Sequence, residues 1–200
     1  MPNLKKIIVL ISGSGTNLQA ILDAVQSGYL KAELSLVVSN RRAAYGLERA
    51  EQAAVPTLYF PLKPYRDAGK SREQYDADLA RILFKHQPDL IVLAGWMHVF
   101  TPAFLTQFAG KIINLHPALP DTFAGTDSIE RAFKAFQRGE ITHSGCMVHH
   151  VIPEVDAGPI VDKVNVPIYS DDTMDTFTAR MHEAEHRLLV DAIRQMLSVS

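Results

Sequence analysis

The stretch from Lys6 to Asn17 constrains the fold of this chain more than any other. An apolar run at residues 7–11 comes directly before a glycine-containing turn at residues 12–17, and helical periodicity follows the turn. Such a run is typical of a strand buried on both faces of a parallel sheet. Glycines allow close backbone approach, and the free N–H groups of a helix start attract an anion. We therefore predict an α/β enzyme whose first turn holds the phosphate of a small molecule.

Two known phosphate-binding motifs can be compared with this turn. A P-loop ends in Gly-Lys-Ser or Gly-Lys-Thr, whereas this turn ends in Gly15, Thr16 and Asn17 without a lysine. The dinucleotide fingerprint needs a third glycine, but Leu18 stands there and is too large for close packing of helix on sheet. The turn thus indicates a phosphate without identifying the substrate, and a plain strand-to-helix turn stays open as the alternative.

Short apolar runs alternate with segments of helical periodicity along the first 115 residues. The runs are rich in Val, Ile and Leu and predict strands at residues 6–11, 34–39, 57–60, 90–94 and 111–115. Predicted helices follow Asn17, span residues 45–54, and follow Ser71, which can form a capping box with Gln74. This alternation predicts a doubly wound, mostly parallel sheet.

The pattern changes after the fifth predicted strand. A loop at residues 117–125 leads into a helix at 129–136, and two further strands of antiparallel character are predicted at 145–151 and 160–166. A last helix is predicted at 173–197. There is no repeat or linker, so we predict one domain that spans residues 1–200.

Composition excludes several classes of protein. The chain has 20 basic and 22 acidic residues, so it lacks the basic excess of a nucleic-acid-binding protein. Its longest apolar run is too short for a membrane span. The single cysteine, Cys146, rules out an internal disulfide and is typical of a reducing compartment, so we expect a cytoplasmic protein. We expect Cys146 to be a buried hydrophobe, although nearby histidines leave a nucleophile open.

Asn114 and His116 end the fifth predicted strand. Side chains two residues apart on a strand point to the same face, and ligands of open α/β sheets bind at the carboxyl ends of the strands. An amide can donate to a developing oxyanion, and an imidazole can move a proton near neutral pH. The pair therefore suits acyl transfer to an amine that attacks directly, although an isolated Asn-x-His is also common as a structural element.

Asp156 lies in a tight turn at residues 155–159. An aspartate in such a turn is commonly a turn former. The alternative is a carboxylate aimed at a histidine, which would raise the imidazole pKa, fix its tautomer and hold a water between the two groups. His182 and His186 have helical spacing but lack the His-Glu-x-x-His order of a zinc protease, so we expect no metal.

Together these motifs resemble the folate-dependent phosphoribosylglycinamide formyltransferase family of purine synthesis. The matching segments follow the family's order along nearly the whole chain. They are residues 11–21, 39–40, 46–50, 71–73, 92–97, 114–117, 156–159 and 185–186. The resemblance implies a Rossmann-like formyltransferase domain with a phosphate-binding half at residues 1–100 and a catalytic, folate-binding half at residues 101–200.

The resemblance also implies a reaction. The amine of 5'-phosphoribosylglycinamide would attack the formyl carbon of the cosubstrate 10-formyltetrahydrofolate, without a metal. Asn114 would stabilise the oxyanion. His116 would act as general acid toward the departing folate nitrogen, or stabilise the oxyanion as imidazolium. Asp156 would set the charge state of the histidine and organise a water for proton transfer.

The same resemblance implies contacts for both substrates. Gly15, Thr16 and Asn17 would hold the 5'-phosphate, together with His182 and Glu185. The folate would contact residues from several separate segments, with Arg72 at its polar end. These residues are Arg72, Met97, His98, Val99, Phe100, Asn114, Ile152, Pro153, Glu154, Val155 and Asp156. The chain departs from the family pattern at His98, where arginine is common, at Ala157, where glycine is usual, and in a shifted proline of the 117–125 loop.

Other functions stay open at this point. Formyltetrahydrofolate deformylase and methionyl-tRNA formyltransferase share the Asn-x-His and Asp elements, but neither needs the glycine-rich phosphate turn. A nucleotide-binding regulatory module would explain that turn but not Asn114, His116 and Asp156 together. We expect small-molecule partners, with no nucleic acid or membrane, and the sequence leaves a homodimer open.

Overall fold

The computed structural model describes residues 4–198, and within that part of the chain seven strands form one sheet. The strands are β1 (Lys5–Ile11), β2 (Ala32–Ser39), β3 (Thr57–Tyr59), β4 (Leu90–Leu93), β5 (Ile112–His116), β6 (His143–His150) and β7 (Ile160–Pro167). Their order is β3-β2-β1-β4-β5-β6-β7. Strands β1 to β5 are parallel, whereas β6 is antiparallel to both of its neighbours. The predicted fold class, mostly parallel with antiparallel strands in the C-terminal half, is confirmed.

Seven helices connect or flank the strands in residues 4–198. They are α1 (Thr16–Gln26), α2 (Tyr45–Gln52), α3 (Lys63–Asp67), α4 (Arg72–Phe84), α5 (Pro102–Leu105), α6 (Ser128–Gln137) and α7 (Met174–Ser198). The capping box at the start of α4 is present, with the Ser71 and Gln74 side chains each bonded to the other's backbone N–H. Helices α3 and α5 were not predicted, because four or five residues are too few to show a helical period.

The strand side chains divide the core into two layers. In β1, Ile7, Val9 and Ile11 pack in the layer formed with α1, α6 and α7. Ile8 and Leu10 pack on the opposite face, in the layer formed with α4 and α5. Because both faces of the strand are covered, its sequence shows no alternation of polar and apolar residues.

The strand order creates a crevice at the carboxyl end of β1. The chain adds β2 on one side of β1 and later returns to add β4 on the other side. Such a reversal of direction is where open α/β sheets bind ligands. The turn after β1 and the loop after β4 meet there, since the backbone N–H of Met97 donates to Ser12 Oγ at 3.0 Å. The glycine-rich turn is therefore built into the crevice.

Candidate active site

A cavity of about 570 Å³ opens at the carboxyl ends of β1, β4 and β5. This volume is typical of a site for a small organic ligand. Every residue predicted for the site lines the cavity except Arg72 and Pro153. Residues separated by more than 160 positions in the sequence, such as Asn17 and Glu185, therefore share one cavity.

The glycine-rich turn is held by α2. Gly15 has φ 72°, and a Cβ at that position would lie 2.6 Å from Gly46 Cα. The backbone N–H of Gly46 donates to the Gly13 carbonyl at 3.2 Å. From the same helix, Arg49 Nε donates to the Ser14 carbonyl at 2.9 Å. Gly15 is thus required both for its left-handed backbone and for the close approach of α2.

We expect Gly15→Ala to lower the free energy of unfolding by roughly 2–4 kcal/mol, because it adds left-handed strain to steric overlap. Gly13→Ala is the matched control, since a Cβ at Gly13 would meet no atom within 4 Å. Urea denaturation of both variants measures the difference. Equal stability of the two variants would contradict the close-approach argument.

The start of α1 faces the cavity with its N–H groups free of a side-chain cap. Gly15 is the N-cap residue, and the first turn of α1 contains no acidic side chain. Thr16 and Asn17 line the cavity beside these N–H groups. The partial positive charge of a helix N-terminus together with unpaired N–H groups favours an anion. The location therefore suits a phosphate.

The last helix, α7, supplies two predicted residues beside Asn17. Glu185 is 4% exposed, and burial raises its pKa to about 7, which a hydrogen bond from Asn17 partly counteracts. His182 Nε2 lies 4.0 Å from Glu185 Oε2. Burial also lowers the pKa of His182 below its usual value. Asn17 Oδ1 is buried and has no hydrogen-bond partner among residues 4–198. This part of the cavity is polar, and one of its buried polar atoms lacks a hydrogen-bond partner in the described part of the chain.

His116 and Asp156 contact each other at the bottom of the cavity. His116 Nδ1 lies 3.3 Å from Asp156 Oδ2, and both side chains are largely buried. The same carboxylate oxygen accepts the Gly125 N–H at 2.8 Å. Asp156 has φ 54°, so its backbone is left-handed at this position. Two roles were considered for Asp156 from the sequence, a turn former and a carboxylate aimed at a histidine. The contact with His116 fits the second role better.

Asn114 completes the group from the same strand as His116. Its Nδ2 lies 3.1 Å from His149 Nε2 and donates to Asp156 Oδ1 at 3.4 Å. His149 Nδ1 lies 2.9 Å from the His150 carbonyl, so the Nδ1–H donates to this carbonyl and Nε2 can accept from Asn114. The amide is thereby fixed beside the His116–Asp156 pair.

The pKa values of the pair are shifted in the same direction for different reasons. Burial lowers the pKa of His116, and Asp156 offsets this only in part. Asp156 therefore acts in the predicted direction, but the effect of burial is larger. Burial works to raise the pKa of Asp156, but the neighbouring His149 ring and the hydrogen bond from the Gly125 N–H outweigh it and lower the pKa overall. At neutral pH the pair is a neutral imidazole beside a carboxylate.

Sequence reasoning did not select three parts of the cavity wall. They are His149, Arg41 and the start of α6 with the loop before it, residues 125–129. Asn114 lies directly opposite His149 in the antiparallel pairing of β5 and β6. An antiparallel pair was predicted, but its register was not, so the strand pattern could not select this histidine among eight.

Arg72 lies outside the cavity wall and holds the loop after β4 instead. Its Nη2 donates to the Val99 carbonyl at 2.6 Å, and its Nε donates to Asp76 Oδ1 at 2.8 Å. The fully buried Asp76 also accepts the Thr101 N–H at 2.7 Å. The loop itself presents exposed apolar side chains at the cavity, with Met97 58% and Val99 57% exposed.

His98 is neutral in this loop. Its Nε2 lies 2.9 Å from Asn40 Nδ2, and burial, together with the charges of Arg72, Arg66 and Arg41, lowers its pKa. It therefore does not reproduce the charge of the arginine that is common at this position.

Cys146, the other residue with an open role, is buried, and burial raises the pKa of its thiol to about 12. A reactive thiolate is thereby disfavoured.

Two classes of feature are absent from the described part of the chain. Residues 4–198 contain no group of three or more His, Cys, Asp or Glu side chains arranged to hold a metal ion. No helix in that range combines the length and the apolar character needed to cross a membrane.

The sequence matches the formyl transferase family over residues 5–193. The phosphoribosylglycinamide formyltransferase of Schizosaccharomyces pombe is 50% identical over 200 residues, covering 96% of this chain and 97% of that protein. The trifunctional purine biosynthetic protein adenosine-3 of Drosophila melanogaster is 39% identical over 196 residues, covering 97% of this chain and 14% of that protein. The crystal structure of glycinamide ribonucleotide transformylase 1 from Symbiobacterium toebii has a TM-score of 0.90 and 39% identity, covering 100% of this chain and 90% of that one.

Proposed function

Because this chain belongs to the formyl transferase family, we propose that it transfers a formyl group from 10-formyltetrahydrofolate to the amine of 5'-phosphoribosylglycinamide in purine synthesis. One observation carries the proposal. Asn114, His116 and Asp156 converge in a cavity that also contains the uncapped start of α1. The proposal treats residues 1–200 as one domain, in which both halves of the chain contribute residues to each of the two substrate subsites.

The two parts of the cavity suit the two substrates. The turn after β1, with His182 and Glu185, offers N–H groups and polar side chains to a ribose phosphate. The loop after β4 and the 152–156 segment offer apolar and backbone surface, including the half-exposed Val155, to a folate ring system. Arg72 supports this wall through the Val99 carbonyl.

The catalytic group suits direct attack by an amine. As the amine nitrogen bonds to the formyl carbon, the carbonyl electron pair moves to oxygen. Asn114 Nδ2 carries two hydrogens, of which one donates to His149 Nε2. The other donates to Asp156 over a longer distance of 3.4 Å and can donate to this oxyanion instead. This second hydrogen is the donor that the proposal assigns to the developing negative charge.

His116 suits the accompanying proton transfer. Its Nδ1 lies beside Asp156, and its Nε2 is buried without a partner among residues 4–198. A neutral imidazole protonated on Nδ1 can accept the amine proton on Nε2 and donate it to N10 as the bond from carbon to N10 breaks. Asp156 stabilises the transient imidazolium. The amine loses one proton and the folate nitrogen gains one, so the step balances.

The assay that tests the proposal mixes the protein with 5'-phosphoribosylglycinamide and a 10-formyl folate and follows the folate absorbance. We expect a signal that needs both substrates. Hydrolysis of the folate without the amine substrate would reassign the chain to the deformylase reaction. The relatives described above do not favour that alternative. Cytoplasmic location and a homodimer stay predictions.

We expect Asn17→Ala to raise the KM for 5'-phosphoribosylglycinamide about tenfold or more, because a donor beside the phosphate and the bond to Glu185 are both lost. The KM for the folate should change less than twofold by comparison, since Asn17 lies on the phosphate side. Steady-state kinetics with each substrate varied in turn measures both values.

Asn165→Ala, an exposed position on β7, is the matched control for Asn17. Equal increases in both KM values for Asn17→Ala would argue against a phosphate site at this turn.

A further inference from the structure

The loop between β5 and α6 alternates in backbone handedness before it reaches the helix. Left-handed φ values occur at every second residue: Asp121 (62°), Phe123 (45°), Gly125 (84°) and Asp127 (58°). Successive N–H groups in such alternating conformations can form a concave site for an anion. In this chain the anion at the loop is a side chain of the protein itself, because the Gly125 N–H donates to Asp156 Oδ2.

Side chains of α6 hold backbone carbonyls of this loop. Ser128 Oγ lies 2.9 Å from the carbonyls of both Phe123 and Gly125. Arg131 Nη1 donates to the Ala124 carbonyl at 2.7 Å, and its guanidinium lies over the Phe123 ring, 5.6 Å from the centroid. Ser128 is 1% exposed, so its hydroxyl has no competing solvent. Three consecutive carbonyls are thereby fixed by two side chains of one helix.

The segment fixed in this way contacts both members of the catalytic pair. The Gly125 N–H bonds the same Asp156 oxygen that lies 3.3 Å from His116 Nδ1. The Phe123 carbonyl faces His116 and favours its protonated form. A shift of the segment would therefore move the carboxylate and the carbonyl away from the imidazole together.

We propose that Ser128 and Arg131 are positioning residues, which hold residues 123–126 so that Gly125 keeps Asp156 against His116. The proposal rests on the function proposed above, in which His116 transfers the proton. Neither Ser128 nor Arg131 contacts the imidazole directly. Their effect passes through the loop backbone.

The charged groups around the pair fix the sign of the expected change. Asp156 faces His116, the last residue of β5, and His149 on β6, and the charge of Arg131 on α6 lowers the pKa of His116. Asp156 and the Phe123 carbonyl both raise the pKa of His116, against the larger effect of burial. Loosening the segment weakens both raising effects, so the His116 pKa should fall further in Ser128→Ala, which leaves the charge of Arg131 in place. Arg131→Met would also remove a charge that lowers this pKa, so the titration is read in the Ser128 variant alone.

The experiment compares Ser128→Ala and Arg131→Met with wild type in two measurements. We expect kcat to fall about tenfold while both KM values stay within roughly twofold, because misplacement affects the chemical step and not binding. In Ser128→Ala we expect NMR titration of the His116 ring to show a pKa below the wild-type value. His116→Asn assigns the resonance.

Controls separate positioning from general stability. Lys134→Gln removes an exposed ion pair with Glu130 on the same helix and should change neither measurement. Arg131→Lys keeps a cationic donor and should recover part of kcat. A lower melting temperature with an unchanged His116 titration would overturn the proposal, and so would an unchanged kcat. If wild type transferred no formyl group, the proposed function would fail, but the His116 titration would still decide the positioning role.

Discussion

Replacement of His116 by Ala should lower kcat by about 10²–10⁴-fold while both substrates still bind, because the variant loses the group that moves the proton. The imidazole lies at the bottom of the cavity and contacts Asp156 through Nδ1. Its removal leaves the glycine-rich turn and the loop after β4 intact, since neither is bonded to it. Steady-state kinetics measures turnover, and calorimetric titration of each substrate measures binding.

Two further variants make this result interpretable. His116→Asn keeps polar character and similar size in a buried position, so it remains useful if the alanine variant folds poorly. His143→Ala removes an exposed histidine at the start of β6 and should leave turnover unchanged. Near-normal turnover in both His116 variants would remove this residue from the mechanism.

The second large effect is expected at Asp156. Asp156→Asn keeps the shape of the side chain but removes the charge that stabilises the imidazolium and offers the Gly125 N–H a weaker acceptor. We expect kcat to fall on the order of 10³-fold, in the range found when a carboxylate that orients a catalytic histidine becomes an amide. Because Asp156 raises the His116 pKa, its neutralisation should lower that pKa below the wild-type value.

Turnover and the His116 titration of Asp156→Asn should be measured together. Asp162→Asn, an exposed position on β7, is the matched control and should behave as wild type. If Asp156→Asn lost turnover but left the His116 pKa unchanged, the carboxylate would act in some way other than through the imidazole.

The sequence predicted those features that local patterns determine. The apolar run at residues 7–11 and the glycines after it required a buried strand and a tight turn, and both are present. Asn114 and His116 share a face because the strand period is two, and both line the cavity. Ser71 and Gln74 marked a helix start to the residue. In each case the cause lies within a few residues of its effect.

Other features depend on contacts between distant segments and could not be predicted in this way. The pairing of Asn114 with His149 depends on the register of two strands, which a shift of one residue would change. The contact of Arg72 with the folate stays a prediction, and the sequence did not show that its hydrogen bonds with Val99 and Asp76 hold a loop. The net pKa shift of His116 depends on how deeply the fold buries it, and burial outweighs the carboxylate that the sequence identified.

The hydrogen bond between Ser12 and Met97 determines which side of the cavity can vary among relatives of this chain. The loop after β4 contributes a backbone N–H to this bond, so the side chain at position 97 is free to change. Only proline is excluded there, because it has no N–H to donate. Ser12 is 2% exposed and contributes its hydroxyl, so that position needs a small acceptor. The Met97 side chain on the cavity wall can therefore change while its bond to the glycine-rich turn stays in place.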